Sequence, residues 1–282
     1  MIIDVHTMIT FSAFTGAGVA MGLGAMGAAI GEGYTAGEAN TAISRNPDMS
    51  GDIFKNMLVG QAVAESASIF ALVVAILMLF LDVPTDNLLK GAALFGAGLC
   101  RGFGAVGSGV GSGFPGGQAC LGISRQPAAA SRLTTGMLIG SAVCQTPAIC
   151  SIVIALMLIF MDFSHLPLAP TWAAILGAGL STGLAAIGSG YGGGLAAGAS
   201  CEGISRQPES VGNVTTVMLV GQAVAQTPSI FGLLISFILI FKSFPESYTL
   251  QASMALLSAG VCMGFGGIGP GIGNGMAAEG AV

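Results

Sequence analysis

Three tetrapeptides fix the plan of this chain. Ser44-Arg45-Asn46-Pro47, Ser124-Arg125-Gln126-Pro127 and Ser205-Arg206-Gln207-Pro208 recur at offsets of 80 and 81 residues. A glycine-studded apolar segment precedes each one. A second apolar segment follows, opening Met57-Leu58-Val59-Gly60, Met137-Leu138-Ile139-Gly140 or Met218-Leu219-Val220-Gly221. Self-similarity at a fixed period defines a repeated supersecondary unit, here helix, polar turn, helix. A fourth glycine-rich segment, Leu256 to Val282, matches a first helix through Gly269, Gly271, Gly273 and Gly275. The expected fold is an all-α integral membrane protein of three and a half tandem hairpins, seven helices in all. Hairpin 1 spans 8–82, hairpin 2 spans 87–162, hairpin 3 spans 170–242, and 250–282 is the first helix of a fourth.

The solvent of these helices is lipid. Only 7% of the 282 residues are charged and 53% are hydrophobic, and runs such as Met57 to Leu81 are long enough to cross a bilayer core. No basic patch suggests nucleic acid, and one Trp and three Tyr leave little for base stacking. The six cysteines (Cys100, Cys120, Cys144, Cys150, Cys201, Cys262) form no CxxC pair and are read as small packing residues. The segment Met1 to Thr10 lacks the basic region of a signal peptide and is expected to stay as helix. Arg45, Lys55, Arg125, Arg132 and Arg206 lie on the turn side, against Lys90 and Lys242 on the other. The turns should therefore face the cytoplasm. Arg101, a third of the way along its helix, is expected to snorkel to the non-cytoplasmic surface or to face a lumen.

Glycines such as Gly16, Gly18, Gly22, Gly24, Gly27, Gly31 and Gly33 invite a nucleotide-binding reading. It fails, since neither a phosphate-loop lysine nor a preceding strand is present. In a membrane helix, small residues let backbones approach closely.

Glu65 is the residue that carries chemistry. It sits eight residues into an otherwise apolar helix, where a carboxylate is costly enough to signal function. Counting back twelve residues from Ser44 reaches Glu32, which a straight hairpin places at a similar depth. Two like charges in low dielectric cannot both ionise freely, so one holds a proton or a cation compensates. Ser66 and the Val63 carbonyl lie within a turn of Glu65 and add the hard oxygen ligands that suit a small alkali cation.

The chain resembles the c subunit of F-type ATP synthases, in a fused form similar to V-type proteolipids. The glycine-rich first helix, the Ser-Arg-Asn/Gln-Pro turn and Val59-Gly60-Gln61-Ala62-Val63-Ala64-Glu65-Ser66 carry the resemblance. It implies a rotor ring in which Glu65 loads an ion, passes the lipid neutralised, and unloads beside an arginine of the stator a subunit. It also implies a Na+ site of Glu32, Val63, Glu65 and Ser66, with H+ as the alternative ion. Where sodium-binding members often have tyrosine, this chain has Phe70. Implied partners are other c-ring proteolipids, the stator a subunit, the central stalk and membrane lipid. No cofactor is expected, and a bacterial cytoplasmic membrane is the expected location.

Twenty-one residues past the later turn serines stand Gln145 and Gln226, each followed by Thr-Pro. These are neutral equivalents of Glu65, and Ser112, Gly193 and Asn274 occupy the Glu32 position. Thr146 and Thr227 are candidate hydroxyls for a neighbouring site. One carboxylate per three and a half hairpins moves few ions per turn, which favours ATP-driven pumping or a ring mixed with acid-bearing hairpins. ATP chemistry must then lie on partner subunits, since no catalytic constellation appears here. The competing reading is a non-rotary channel or transporter with Glu65 as filter or coupling residue.

Overall fold

The computed structural model describes residues 4–80 and 87–282, and it is helical throughout its ordered elements. The expected end of hairpin 1 at residue 82 lies outside the described residues. Helices α1 (Val5–Arg45), α2 (Ser50–Phe80), α3 (Leu88–Arg125), α4 (Ala130–Cys144), α5 (Thr146–Phe160), α6 (Leu168–Arg206), α7 (Val211–Phe241) and α8 (Leu250–Ala281) follow in order. Among the described residues they make seven spans long and apolar enough to cross a membrane, because α4 and α5 together form one.

Each repeated tetrapeptide turns the chain by the same local rule. The residue before a proline is pushed out of the helical region, and Asn46, Gln126 and Gln207 leave it with φ of -141°, -134° and -135°. The helix stops there, its last arginine (Arg45, Arg125 or Arg206) placed at the negative end of the dipole. A single 3-10 turn starting at the proline then redirects the chain into the next helix.

The helices lie in two layers. Helices α1, α3, α6 and α8 form one, with α1 against α3, α3 against α6 and α6 against α8. Helices α2, α4 with α5, and α7 form the other, and they present Phe70, Ile76, Ile149, Phe160, Phe231 and Phe241 outward. That face has the composition expected of a lipid contact. The inner seam is made by one repeated glycine position. A Cβ on Gly109 would stand 2.8 Å from the Ala28 nitrogen, and one on Gly190 or Gly271 would stand 2.6 Å from the nitrogen of Ser108 or Ser189. No side chain fits against backbone at that distance, so this close approach requires glycine.

Two features depart from expectation. The second span of hairpin 2 is broken at Gln145, because Pro147 has no N–H to continue the ladder. In α7 the equivalent Pro228 is accommodated without a break. Arg101 neither snorkels nor faces a lumen: it is fully buried between hairpins 1 and 2. Backbone carbonyls reach its two terminal nitrogens there, so these donate without travelling to the membrane surface.

Candidate ion-binding site

Glu65 lies on α2 with its side chain exposed, and Glu32 lies on α1, partly buried. Their levels match: a Cβ on Gly31 would meet the Ala64 methyl at 3.5 Å, and the Gln61 amide donates to the Glu32 carbonyl at 3.3 Å. The latch below them recurs in every hairpin. Ser141 donates to the Ser112 carbonyl at 3.4 Å, and Gln222 to the Gly193 carbonyl at 3.0 Å.

Val63 and Ser66 are turned elsewhere. The Val63 carbonyl oxygen accepts the Ser66 hydroxyl at 2.7 Å and the Gln145 amide at 3.0 Å. It therefore belongs to the interface with hairpin 2. The structure brings Glu32 together with Glu65, and Val63 together with Ser66 and Gln145, as two groups rather than one.

Hairpins 2 and 3 show the rule behind that division. Gln145 donates across to Val63 of the preceding hairpin and also to the Ser112 hydroxyl of its own at 2.8 Å. Gln226 likewise donates to the Val143 carbonyl of the preceding hairpin at 2.8 Å. The side chain at this position thus closes each hairpin onto the carbonyl behind it. Carried back one repeat, the same register aims Glu65 at the open flank of hairpin 1, where no further helix of this chain lies among the described residues. Thr146 is partly buried in the first turn of α5, while exposed Thr227 donates to the Ala223 carbonyl at 3.3 Å. Phe70 is exposed on α2.

Sequence reasoning missed two features of the site. The amide after each proline is capped from the inner layer: Ala148 donates to the Ser108 hydroxyl at 3.1 Å, and Ser229 to the Ser189 hydroxyl at 3.2 Å. Hairpin 1 has Ala28 and Ala67 where the later hairpins have this serine and proline. That covariation within the repeat was the available signal. The other is Arg101, for which the single repeat position gives no signal, because its burial depends on a neighbouring hairpin.

Comparison with known proteins follows the same three hairpins. The family model for the C subunit of ATP synthase matches residues 15–78, 95–158 and 176–239, more than half of the chain. The chain belongs to the ATP synthase C-subunit family. Curated relatives named as ATP synthase c subunits include one from Natranaerobius thermophilus, 45% identical over 78 residues that make up 28% of this chain and 90% of the relative. The protein from Alkaliphilus oremlandii is 48% identical over 73 residues, 26% of this chain and 82% of its own length. That from Dehalococcoides mccartyi is 53% identical over 64 residues, 23% of this chain and 84% of its own. Each relative thus corresponds to about one hairpin, and this chain repeats that unit in tandem.

Proposed function

We propose that this fused proteolipid is part of a rotor ring that carries Na+, with H+ as the alternative, across the membrane on the Glu65 carboxylate. One observation carries the reading. Gln145 and Gln226 each give an amide proton to a carbonyl of the preceding hairpin, and Glu65 occupies their position at the open flank. An amide has protons to give to such a carbonyl, whereas an ionised carboxylate only accepts. Set against a neighbour's carbonyl oxygen, Glu65 must take up a proton or share a small cation. That exchangeable positive charge is the cargo.

The open flanks support assembly into a ring. On α1, Gly18, Gly22 and Gly33 have nothing within 4 Å, although their repeat equivalents Gly98, Gly102 and Gly113 are packed against α1. At the other end Gly269 and Gly273 are equally free, while their equivalents Gly188 and Gly192 are packed against α8. One end therefore exposes the surface that the other end fits, a head-to-tail contact that closes when the rotation permits. Glu32 favours Na+ by adding carboxyl oxygens to the hard-oxygen set that suits a small alkali cation. In the ring, Glu65 and Glu32 would be completed by a carbonyl, with its attendant hydroxyl, of the neighbouring hairpin, as the Val63 carbonyl that accepts from Ser66 is presented to Gln145.

Each ion moved along a potential contributes about 2.3 kcal/mol per 100 mV. With one carboxylate at the Glu65 position among three complete hairpins, a ring of this protein alone moves few ions per turn, which suits ATP-driven pumping. A ring that synthesises ATP would include acid-bearing single hairpins. Stator a subunit, central stalk and turns facing the cytoplasm complete the proposed F-type assembly. The test is ATP-driven sodium uptake by vesicles reconstituted with the whole ATPase. Uptake that persists with a protonophore supports Na+. Uptake abolished by the protonophore, with ATP-driven proton movement in sodium-free buffer, assigns the site to protons.

A further inference from the structure

Among the described residues Arg101 is the only charged side chain that is fully buried. Its Nη1 donates to the Ala148 carbonyl at 2.6 Å and the Ser151 hydroxyl at 2.9 Å, and its Nη2 donates to the Ala67 carbonyl at 2.5 Å. No carboxylate pairs with it among the described residues, and Nε has no partner. A guanidinium cannot shed its charge by deprotonating at any ordinary pH. Hairpins 1 and 2 therefore enclose a fixed, uncompensated positive charge.

Its position relative to Gln145 gives that charge a role. Gln145 holds the carbonyl of Val63 and Arg101 the carbonyl of Ala67. Carbonyls four residues apart lie on one face of a helix, about 6 Å apart along its axis. The interface beside Gln145 retains oxygens that could bind a small cation: the Val63 carbonyl, the Ser112 hydroxyl, and the buried Gln145 Oε1, which has no hydrogen-bond partner. The interface of hairpins 2 and 3 is poorer, with Gly193 in place of Ser112. There Thr182 replaces Arg101 and simply pairs with the Ser236 hydroxyl at 2.7 Å. The charge stands at the richer set of oxygens.

We propose that Arg101 is a fixed internal cation that closes the interface between hairpins 1 and 2 to ion loading. This rests on the reading of Glu65 as the loading carboxylate, because an interface closed to ions has meaning only in a ring that carries them. Two unit charges about 6 Å apart at an effective dielectric of about 20 shift an equilibrium by about one hundredfold. A cation beside Gln145 is disfavoured by that factor. A carboxylate placed there is held ionised by the same factor, and cannot take a proton.

The test uses the assembled ATPase in native membranes, labelled with a lipophilic carbodiimide that reacts with protonated carboxyls, with modified positions read by peptide mapping. In the Gln145→Glu variant, position 145 should stay unlabelled while Glu65 is labelled. Adding Arg101→Met should raise labelling at 145 about one hundredfold, and added sodium should suppress it. Arg101→Lys in its place should keep position 145 silent, which a purely space-filling arginine would not require. Gln226→Glu, beside Thr182, should take label with Arg101 intact. Where Arg101→Met prevents ring assembly, Arg101→Gln carries the same test, since its amide can still donate to a carbonyl. Labelling of position 145 with Arg101 present, silence there after its removal, or silence at position 226 overturns the proposal. Silence at Glu65 in the unmodified ring would instead overturn the reading of Glu65.

Discussion

Hairpin 1 and hairpins 2 and 3 share one frame and differ at the few positions that decide what the frame can carry. All have the same proline turn, the same latch from the second helix to the first, and the same small-residue seam. In hairpin 1 the second helix runs unbroken past an acid, and its serine and proline equivalents are alanines. In hairpins 2 and 3 an amide replaces the acid, and each proline is matched by a serine that caps the following N–H. The difference teaches that the change from acid to amide comes with further substitutions around it. The later hairpins replace a carboxyl with an amide that donates to a carbonyl of the preceding hairpin.

The sharpest way to break the comparison is to make hairpin 1 like the others. Glu65→Gln should leave folding and ring assembly intact and reduce ATP-driven ion uptake to background, because the new amide bonds to a neighbour's carbonyl as Gln226 does. Uptake above background would show that another group carries the ion. The next largest effect tests what the hairpins share. Gly190→Val places carbons within van der Waals reach of the α3 backbone and should cost more than about 3 kcal/mol. Loss of the folded chain from detergent extracts would register it. Gly18→Val, in open space within the chain, should leave the chain folded and block ring assembly, as native gel electrophoresis would show.

Smaller effects sharpen the contrast between hairpins. Ser108→Ala strands the buried Ala148 N–H and should cost about 1–3 kcal/mol, read as a lower midpoint for thermal unfolding of the detergent-solubilised ring. Pro147→Ala should offset part of that loss by allowing α4 and α5 to run together. At the turns, Arg132 joins hairpin 2 to hairpin 3 through the Pro208 carbonyl at 2.7 Å and Glu209 at 3.0 Å. That pair is exposed, so Glu209→Gln should shift the same midpoint by no more than about 1 kcal/mol.

The parts legible in the sequence are those set by local rules. The turns follow from the tetrapeptide, the spans from apolar length, and the seam from glycine at positions such as Gly109 and Gly190. The matched depth of Glu32 and Glu65 follows from helix rise alone. What was not legible depends on which way a residue faces across a boundary. Val63, Glu65 and Ser66 are close in sequence, yet the Val63 carbonyl serves hairpin 2 and the Glu65 carboxyl serves the opposite flank. Arg101 looked like a residue needing water because the carbonyls of Ala67 and Ala148 that hold it come from other helices. The Gln145 break was not legible either, because Pro228 stands at the equivalent position, with the equivalent serine cap, in a helix that runs unbroken.

The central claim is that Glu65 takes up one exchangeable cation. Carbodiimide treatment of the intact ATPase followed by peptide mapping tests it most directly. The account predicts one modification per chain, at Glu65, arrested together with ion-coupled ATPase activity and slowed by sodium at constant pH. Full coupled activity with Glu65 completely modified would contradict it.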